Sequence, residues 1–165
     1  MTGDTGTAGL AHFIVATLTD RGQTVAVAES LTGGLLAAAL VEIPGVSAVF
    51  RGGIVAYATD LKAALLGVPE TLLDRYGAVH ADVAAAMAEG VRARLGATFG
   101  LATTGVAGPD PAGGQPVGTV HIAASWPGGV VPQSLRLTGD RRSIRQQTVV
   151  TCLKQLGGML ESGGK

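Results

Sequence analysis

A serine, a tyrosine and a lysine stand at places in this chain where α/β proteins put their chemistry. The serine lies in AVAESLTGGLLAAALVE, residues 26–42, where an apolar, strand-like stretch runs through Glu29-Ser30-Leu31-Thr32-Gly33-Gly34 into an unbroken Leu/Ala run. If Val25–Ala28 is a strand and Leu35–Val41 a helix, Ser30 falls on the turn at a strand's carboxyl end, the edge where open α/β sheets bind ligands. Gly33 and Gly34 then expose backbone N–H groups at a helix N-terminus, suited to an anion or a developing oxyanion. Ser30 and Thr32 equally suit a plain helix cap. The stretch by itself leaves both uses open.

The second stretch, GGIVAYATDLKAALLG, puts Tyr57 at a strand's end and Lys62 in the first turn of a helix, with Thr59 as its expected cap. The positive end of the helix dipole disfavours an ammonium there. Burial would lower the lysine pKa further, toward the range in which an amine acts as a base. Serine with a neutral lysine can replace Ser-His in nucleophilic catalysis. A solvated surface lysine is the ordinary alternative. The third stretch, TTGVAGPDPAGGQPVGTV, is a Gly/Pro loop after a strand and can approach a ligand with its backbone. It lacks the Gly-Lys-Ser/Thr ending of a phosphate loop and the Gly-x-Gly-x-x-Gly pattern. His12 and His121 fall inside a predicted helix and strand and His80 precedes a helix, so all three read as structural. No His/Cys/Asp/Glu cluster has metal-ligand spacing, and neither a metal nor a cofactor is expected.

These residues need elements to hold them. Periodicity predicts a helix through Leu10–Leu18 ending near Gly22, a strand over Thr24–Ala28, and a helix from about Gly33 to Glu42 stopped by Pro44-Gly45. A strand over Val49–Tyr57, a helix over Thr59–Leu66 and a helical turn or two over Pro69–Tyr76 follow. Asp82–Leu95 is the best amphipathic helix, with Val83, Met87, Val91 and Leu95 on one face. Phe99–Thr104 is a strand, Val117–Trp126 and Val130–Leu137 form a hairpin, and Asp140 opens a last helix reaching about Leu160. The alternation implies an α/β fold, a three-layer α/β/α sandwich with a mixed, mostly parallel sheet. We expect one domain over 1–165 with its core at about 8–160.

Composition narrows the partners. Lys+Arg and Asp+Glu number 12 each, which leaves no basic excess to hold nucleic acid. The apolar runs fall below the ~18 residues of a membrane span. Met1–Gly9 has neither the basic start nor the apolar core of a signal peptide. The single Cys152 excludes an internal disulfide. A cytoplasmic protein, bound to neither membrane nor nucleic acid and forming a homo-oligomer such as a dimer, is the expectation. The 26 glycines sit at junctions between periodic segments, as turns and close approaches require.

Taken together, AESLTGG, GGIVAYATDLKAALLGV, YGAV, TTGVAGPDPAGGQPVGTV and GDRRSIRQQ occur in the order and spacing of the CinA C-terminal domain family, which the chain resembles over roughly residues 8 to 160. The resemblance implies a three-layer α/β/α fold and a metal-free serine amidohydrolase. Its implied reaction converts nicotinamide mononucleotide to nicotinate mononucleotide and ammonia. Larger members carry an additional N-terminal domain, and this chain is similar to the stand-alone form.

By that resemblance Ser30 would be the nucleophile, Lys62 the base and Tyr57 a proton relay or orienting group. Thr32, Gly33 and Gly34 belong to the serine motif and Thr104 and Gly105 to the start of the Gly-x-Ala-Gly-Pro loop, all as substrate-binding positions. Arg141 and Arg145 match the arginines of the Gly-Asp-Arg segment, where a guanidinium suits the substrate's 5′-phosphate. The chain departs from the family pattern at Thr59, where Asn is common, and at His80, where a capping Ser is common. It also has Gln115 where many members have Lys, and Asp110-Pro111 shortens a glycine-rich run. Two rival readings are a nucleotide-binding regulatory module of a competence or DNA-damage pathway, and a Ser/Lys amidase or esterase of another substrate.

Overall fold

In the computed structural model, which describes residues 6–163, the five strands form one sheet in the order β2-β1-β3-β4-β5. β1 (Val25–Glu29) pairs in parallel with β2 (Phe50–Val55) on one side and β3 (Phe99–Gly105) on the other. β4 (Thr119–Trp126) continues antiparallel to β3, and β5 (Gly129–Arg136) antiparallel to β4. The expected α/β sandwich and mixed sheet are present, with parallel and antiparallel pairings evenly divided. One antiparallel pairing is the β4–β5 hairpin, closed by the two-residue Pro127-Gly128 connection, and the other is made where the Gly/Pro loop turns the chain back from β3 into β4, so neither needs a helical crossover.

Strand periodicity divides the core. Val25, Val27, Leu101, Val120 and Ile122 face a layer made by α1 (Thr7–Arg21), α2 (Leu35–Val41) and α6 (Arg141–Glu161). There they meet Ile14, Leu18, Leu36, Leu40, Ile144, Leu153 and Leu156, all fully buried. The alternate residues Ala26, Ala28, Ala102 and Ala123 face α3 (Thr59–Leu66), α4 (Glu70–Tyr76) and α5 (Ala81–Leu95). Large side chains on one face and alanines on the other let α5 settle close to the sheet, with Val83, Met87 and Val91 fully buried against it. α3 in turn lies so near α5 that a Cβ on Gly90 would overlap the Leu66 carbonyl. No helix among the described residues is long and apolar enough to cross a membrane.

The helix boundaries follow the sequence closely and the caps less so. Gly22 ends α1 and Gly67 ends α3, both in the left-handed region. Asp140 caps α6 by accepting from the Ser143 N–H at 2.8 Å. Thr59 is not the cap of α3. Ala58 holds that position without a side-chain hydrogen bond, and Thr59 is the first helical residue. His80 caps α5 through Nδ1, which accepts from the Asp82 N–H at 3.1 Å, so the imidazole does what a serine would do there.

Candidate active site

The ends of β1, β2 and β3 open at one edge of the sheet, and the turn after each strand brings one of the singled-out residues there. β1 runs into the Ser30–Gly34 turn, which closes with Gly33 N–H donating to Ser30 O at 3.1 Å and Leu35 N–H to Thr32 O at 3.1 Å. Gly33 and Gly34 take φ of 57° and 103°, the left-handed region that side-chain-bearing residues avoid. Backbone conformation thus explains the two glycines. Ser30 and Thr32 do not cap α2: their hydroxyls turn to other elements.

The N-terminus of α2 is held instead by Glu29. This buried carboxylate accepts from Leu36 N–H at 2.8 Å and Ala37 N–H at 3.1 Å. The helix end expected to offer its N–H groups to a ligand is therefore filled by the chain's own anion. The sequence reading missed this residue. Its signal was a lone acid at the end of the apolar strand VAVAE, one turn ahead of a helix whose N-cap is Gly34 and not Ser, Thr, Asp or Asn.

Ser30 Oγ accepts from Lys62 Nζ at 3.0 Å, and Ser30 is itself buried. Lys62 has no exposed surface at all. α3 carries it under the end of β2, where Nζ also donates to Ala56 O at 2.7 Å and Tyr57 O at 3.2 Å. No carboxylate among the described residues pairs with it. Withdrawal from water penalises the ammonium form and brings the Lys62 pKa down from 10.5 to about 8. A neutral amine has two N–H bonds and one lone pair. With its two N–H groups on the two carbonyls, its lone pair meets the Ser30 hydroxyl, and the pair can pass a proton from oxygen to nitrogen.

Tyr57 is 59% exposed. Its carbonyl holds Lys62, while its hydroxyl accepts from Arg141 Nη2 at 3.4 Å at the rim of the pocket. The pocket, about 140 Å³ in volume, is floored by Ser30 and Lys62 and walled by Tyr57, Thr104, Gly105 and Arg141. It is smaller than the ~300 Å³ at which sites for whole drug-sized ligands begin, so a single functional group fits there and a complete nucleotide does not. Thr104 Oγ1 donates to Ala78 O at 2.7 Å and pins the α4–α5 loop, whose Ala78 and Val79 complete the wall. Thr32 Oγ1 and Thr103 Oγ1 share a hydrogen bond of 2.8 Å, and Ser30 N–H donates to Thr103 O at 3.0 Å. Thr103, which the sequence reading passed over, thus fixes both ends of the serine turn to β3.

Odd-numbered residues of β3 turn their peptide groups toward β1: Phe99 N–H donates to Thr24 O at 2.9 Å, and Thr103 O receives Ser30 N–H. Gly105 is the next odd residue, and β1 has ended beside it. Arg145 reaches back across the serine turn, donating from Nε to Leu31 O at 2.9 Å and from Nη2 to Thr32 O at 3.0 Å. Arg141 Nη1 donates to Gly108 O at 2.7 Å, tying α6 to the Gly/Pro loop. The tip of that loop, Asp110-Pro111 and Gln115, is not among the residues lining the pocket. Among the described residues no three His, Cys, Asp or Glu side chains converge as metal ligands would.

Fold and site together define an α/β protein with a buried serine–lysine pair at the carboxyl edge of its sheet. The comparison with known families agrees: the model of the CinA C-terminal domain matches residues 7–160, and the chain belongs to that family. It is 58% identical over 147 residues to a CinA-like protein of Frankia casuarinae, covering 89% of this chain and 34% of that protein. A CinA-like protein of Parasynechococcus marenigrum is 50% identical over 153 residues, with 89% of this chain and 36% of the relative covered. The chain thus spans about a third of the length of these curated relatives. Among solved structures, the competence/damage inducible protein CihA of Agrobacterium tumefaciens superposes with a TM-score of 0.89 at 42% identity, covering 94% of this chain and 95% of that one. A CinA superfamily protein of Klebsiella pneumoniae gives 0.91 at 32% identity over 95% and 99% of the two chains.

Proposed function

We propose that this protein is a serine amidohydrolase that converts nicotinamide mononucleotide to nicotinate mononucleotide and ammonia. The observation that carries the reading is the Lys62 amine, withdrawn from water, with its pKa lowered to about 8, 3.0 Å from the Ser30 hydroxyl. A buried lysine without a carboxylate partner is costly to keep, and base catalysis accounts for it.

In the proposed reaction neutral Lys62 takes the Ser30 proton as Oγ bonds to the carboxamide carbon. The resulting oxyanion is held by the Gly105 N–H, a class of contact worth about 3 kcal/mol per donor. Lys62 then gives its proton to the departing nitrogen as the C–N bond breaks, and ammonia leaves. Water, deprotonated by the same amine, adds to the acyl-enzyme; the bond from carbon to Ser30 Oγ then breaks as Lys62 returns its proton to Oγ, and nicotinate mononucleotide leaves with serine and neutral lysine restored. Tyr57, at the mouth beside Arg141, orients the ring. The pyridinium charge of the substrate adds to burial in favouring neutral Lys62. By resemblance to its family, the enzyme is proposed to act on a small nucleotide in the cytoplasm as a homo-oligomer.

The test is ammonia release across a panel of nicotinamide mononucleotide, free nicotinamide, glutamine and simple esters. Release from the mononucleotide above all others is expected. Faster turnover of another amide or ester would give the same pair a different substrate, and binding without release would leave a nucleotide-binding module.

A further inference from the structure

Beside the reaction pocket lies a second cavity, about 560 Å³ in volume, between α2 and the first turns of α6. Its size is that of an ordinary small-ligand site. It shares Arg141 with the reaction pocket and is lined further by Arg142, Arg145, Leu35, Gln146 and Asp140. Three guanidiniums face a single carboxylate, and that carboxylate is already engaged by the Ser143 N–H. The lining therefore carries an excess of positive charge, the sign that suits an anion.

The three arginines are not equivalent. Arg145 spends its Nε and Nη2 edge on the carbonyls of Leu31 and Thr32, bracing the serine turn. Arg141 spends Nη1 on Gly108 O and Nη2 on the Tyr57 hydroxyl. Arg142 has no hydrogen bond or ion pair among the described residues. Its whole fork is free, and phosphate and carboxylate groups both match such a planar, bidentate donor; of the two, the nucleotide substrate of the proposed function supplies a phosphomonoester.

We propose that Arg142 is the phosphate anchor of this enzyme, holding a substrate phosphomonoester in the second cavity while the carboxamide end occupies the pocket over Ser30. Arg145 acts as a positioning residue for the serine turn, and Arg141 as the strut between the two cavities. The sequence put Arg141 and Arg145 forward for the phosphate; Arg142, between them, enters through the geometry. The carboxamide end and the choice of phosphate rest on the proposed function, whereas the anion site itself rests on the arginines.

Two measurements on the full chain separate the two. Calorimetric titration with ribose 5-phosphate probes the anion site without any reaction. Arg142→Ala should weaken binding by about tenfold or more, the loss expected for hydrogen bonds to a charged group. Arg142→Lys, which keeps the charge and loses the fork, should recover only part. In ammonia release from nicotinamide mononucleotide, Arg142→Ala should act on KM rather than kcat, and Arg145→Ala on kcat. The proposal is overturned if the wild-type protein does not bind ribose 5-phosphate, or if Arg142→Ala binds it as tightly as wild type. Binding through Arg142 without ammonia release would refute the deamidase reading and keep the site. Ammonia release unaffected by Arg142→Ala would do the opposite.

Discussion

Lys62 Nζ sits 3.0 Å from Ser30 Oγ although the two residues are 32 positions apart in the chain and on different elements. β1 presents the serine, α3 presents the lysine from beneath the neighbouring strand, and the carbonyls of Ala56 and Tyr57 fix the amine between them. The rest of the site serves to hold this distance.

The pH dependence follows from the Lys62 pKa of about 8. The neutral amine is the active form, so kcat/KM should rise with pH and level off above about 8. Lys62→Arg keeps a positive charge but cannot release its proton at working pH, and should lose roughly 10²–10⁴ in rate. A structural lysine predicts instead a largely active Arg variant. Stability carries the same signature with its own sign. Between about 8 and 10.5 the unfolded chain holds a proton that the folded chain has released. The native state should therefore gain stability against urea as pH rises through that range.

Glu29 should behave as a residue of both fold and site. Glu29→Ala leaves one buried and one partly buried N–H group of α2 without their acceptor and should cost about 2 kcal/mol or more in urea unfolding. Glu29→Gln, keeping one acceptor oxygen, should cost roughly half that. Both should lower kcat, because the turn carrying Ser30 starts at this residue. Wild-type kcat in a destabilised Glu29→Ala protein would separate the cap from the catalytic geometry.

Glycines in helices give a paired test of packing. A methyl group on Gly90 would run into the Leu66 carbonyl, so Gly90→Ala should destabilise by about 1–3 kcal/mol and displace α3 with Lys62, lowering kcat. Gly158, in α6, has nothing within 4 Å of an added Cβ. Gly158→Ala should stabilise by about 0.5–1 kcal/mol without touching activity. Equal effects at the two positions would contradict the packing described here.

Much of the fold was legible because its signals are local. The 3.6-residue period of Asp82–Leu95 and the glycines at 22 and 67 mark helix bodies and ends that the structure reproduces. The juxtaposition of Ser30 and Lys62 was legible from strand ends and the family motifs together. Contacts between distant segments were not. Glu29 caps a helix from seven residues upstream, whereas the usual cap immediately precedes its helix. Arg145 braces a turn more than a hundred residues away, and nothing in GDRRSIRQQ distinguishes it from Arg142, whose fork is free. Thr59 misled because a threonine ahead of a helical run looks like a cap, while the backbone here turns helical one residue sooner.

The central claim is that Ser30 and Lys62 hydrolyse an amide, and its most direct test is ammonia released from nicotinamide mononucleotide by the wild-type protein and by Ser30→Ala. Wild type should release one ammonia for each nicotinate mononucleotide formed. Ser30→Ala, folded as judged by an unchanged urea midpoint to within about 1 kcal/mol, should release none above the uncatalysed rate. No release by wild type, or release undiminished in Ser30→Ala, would contradict the account.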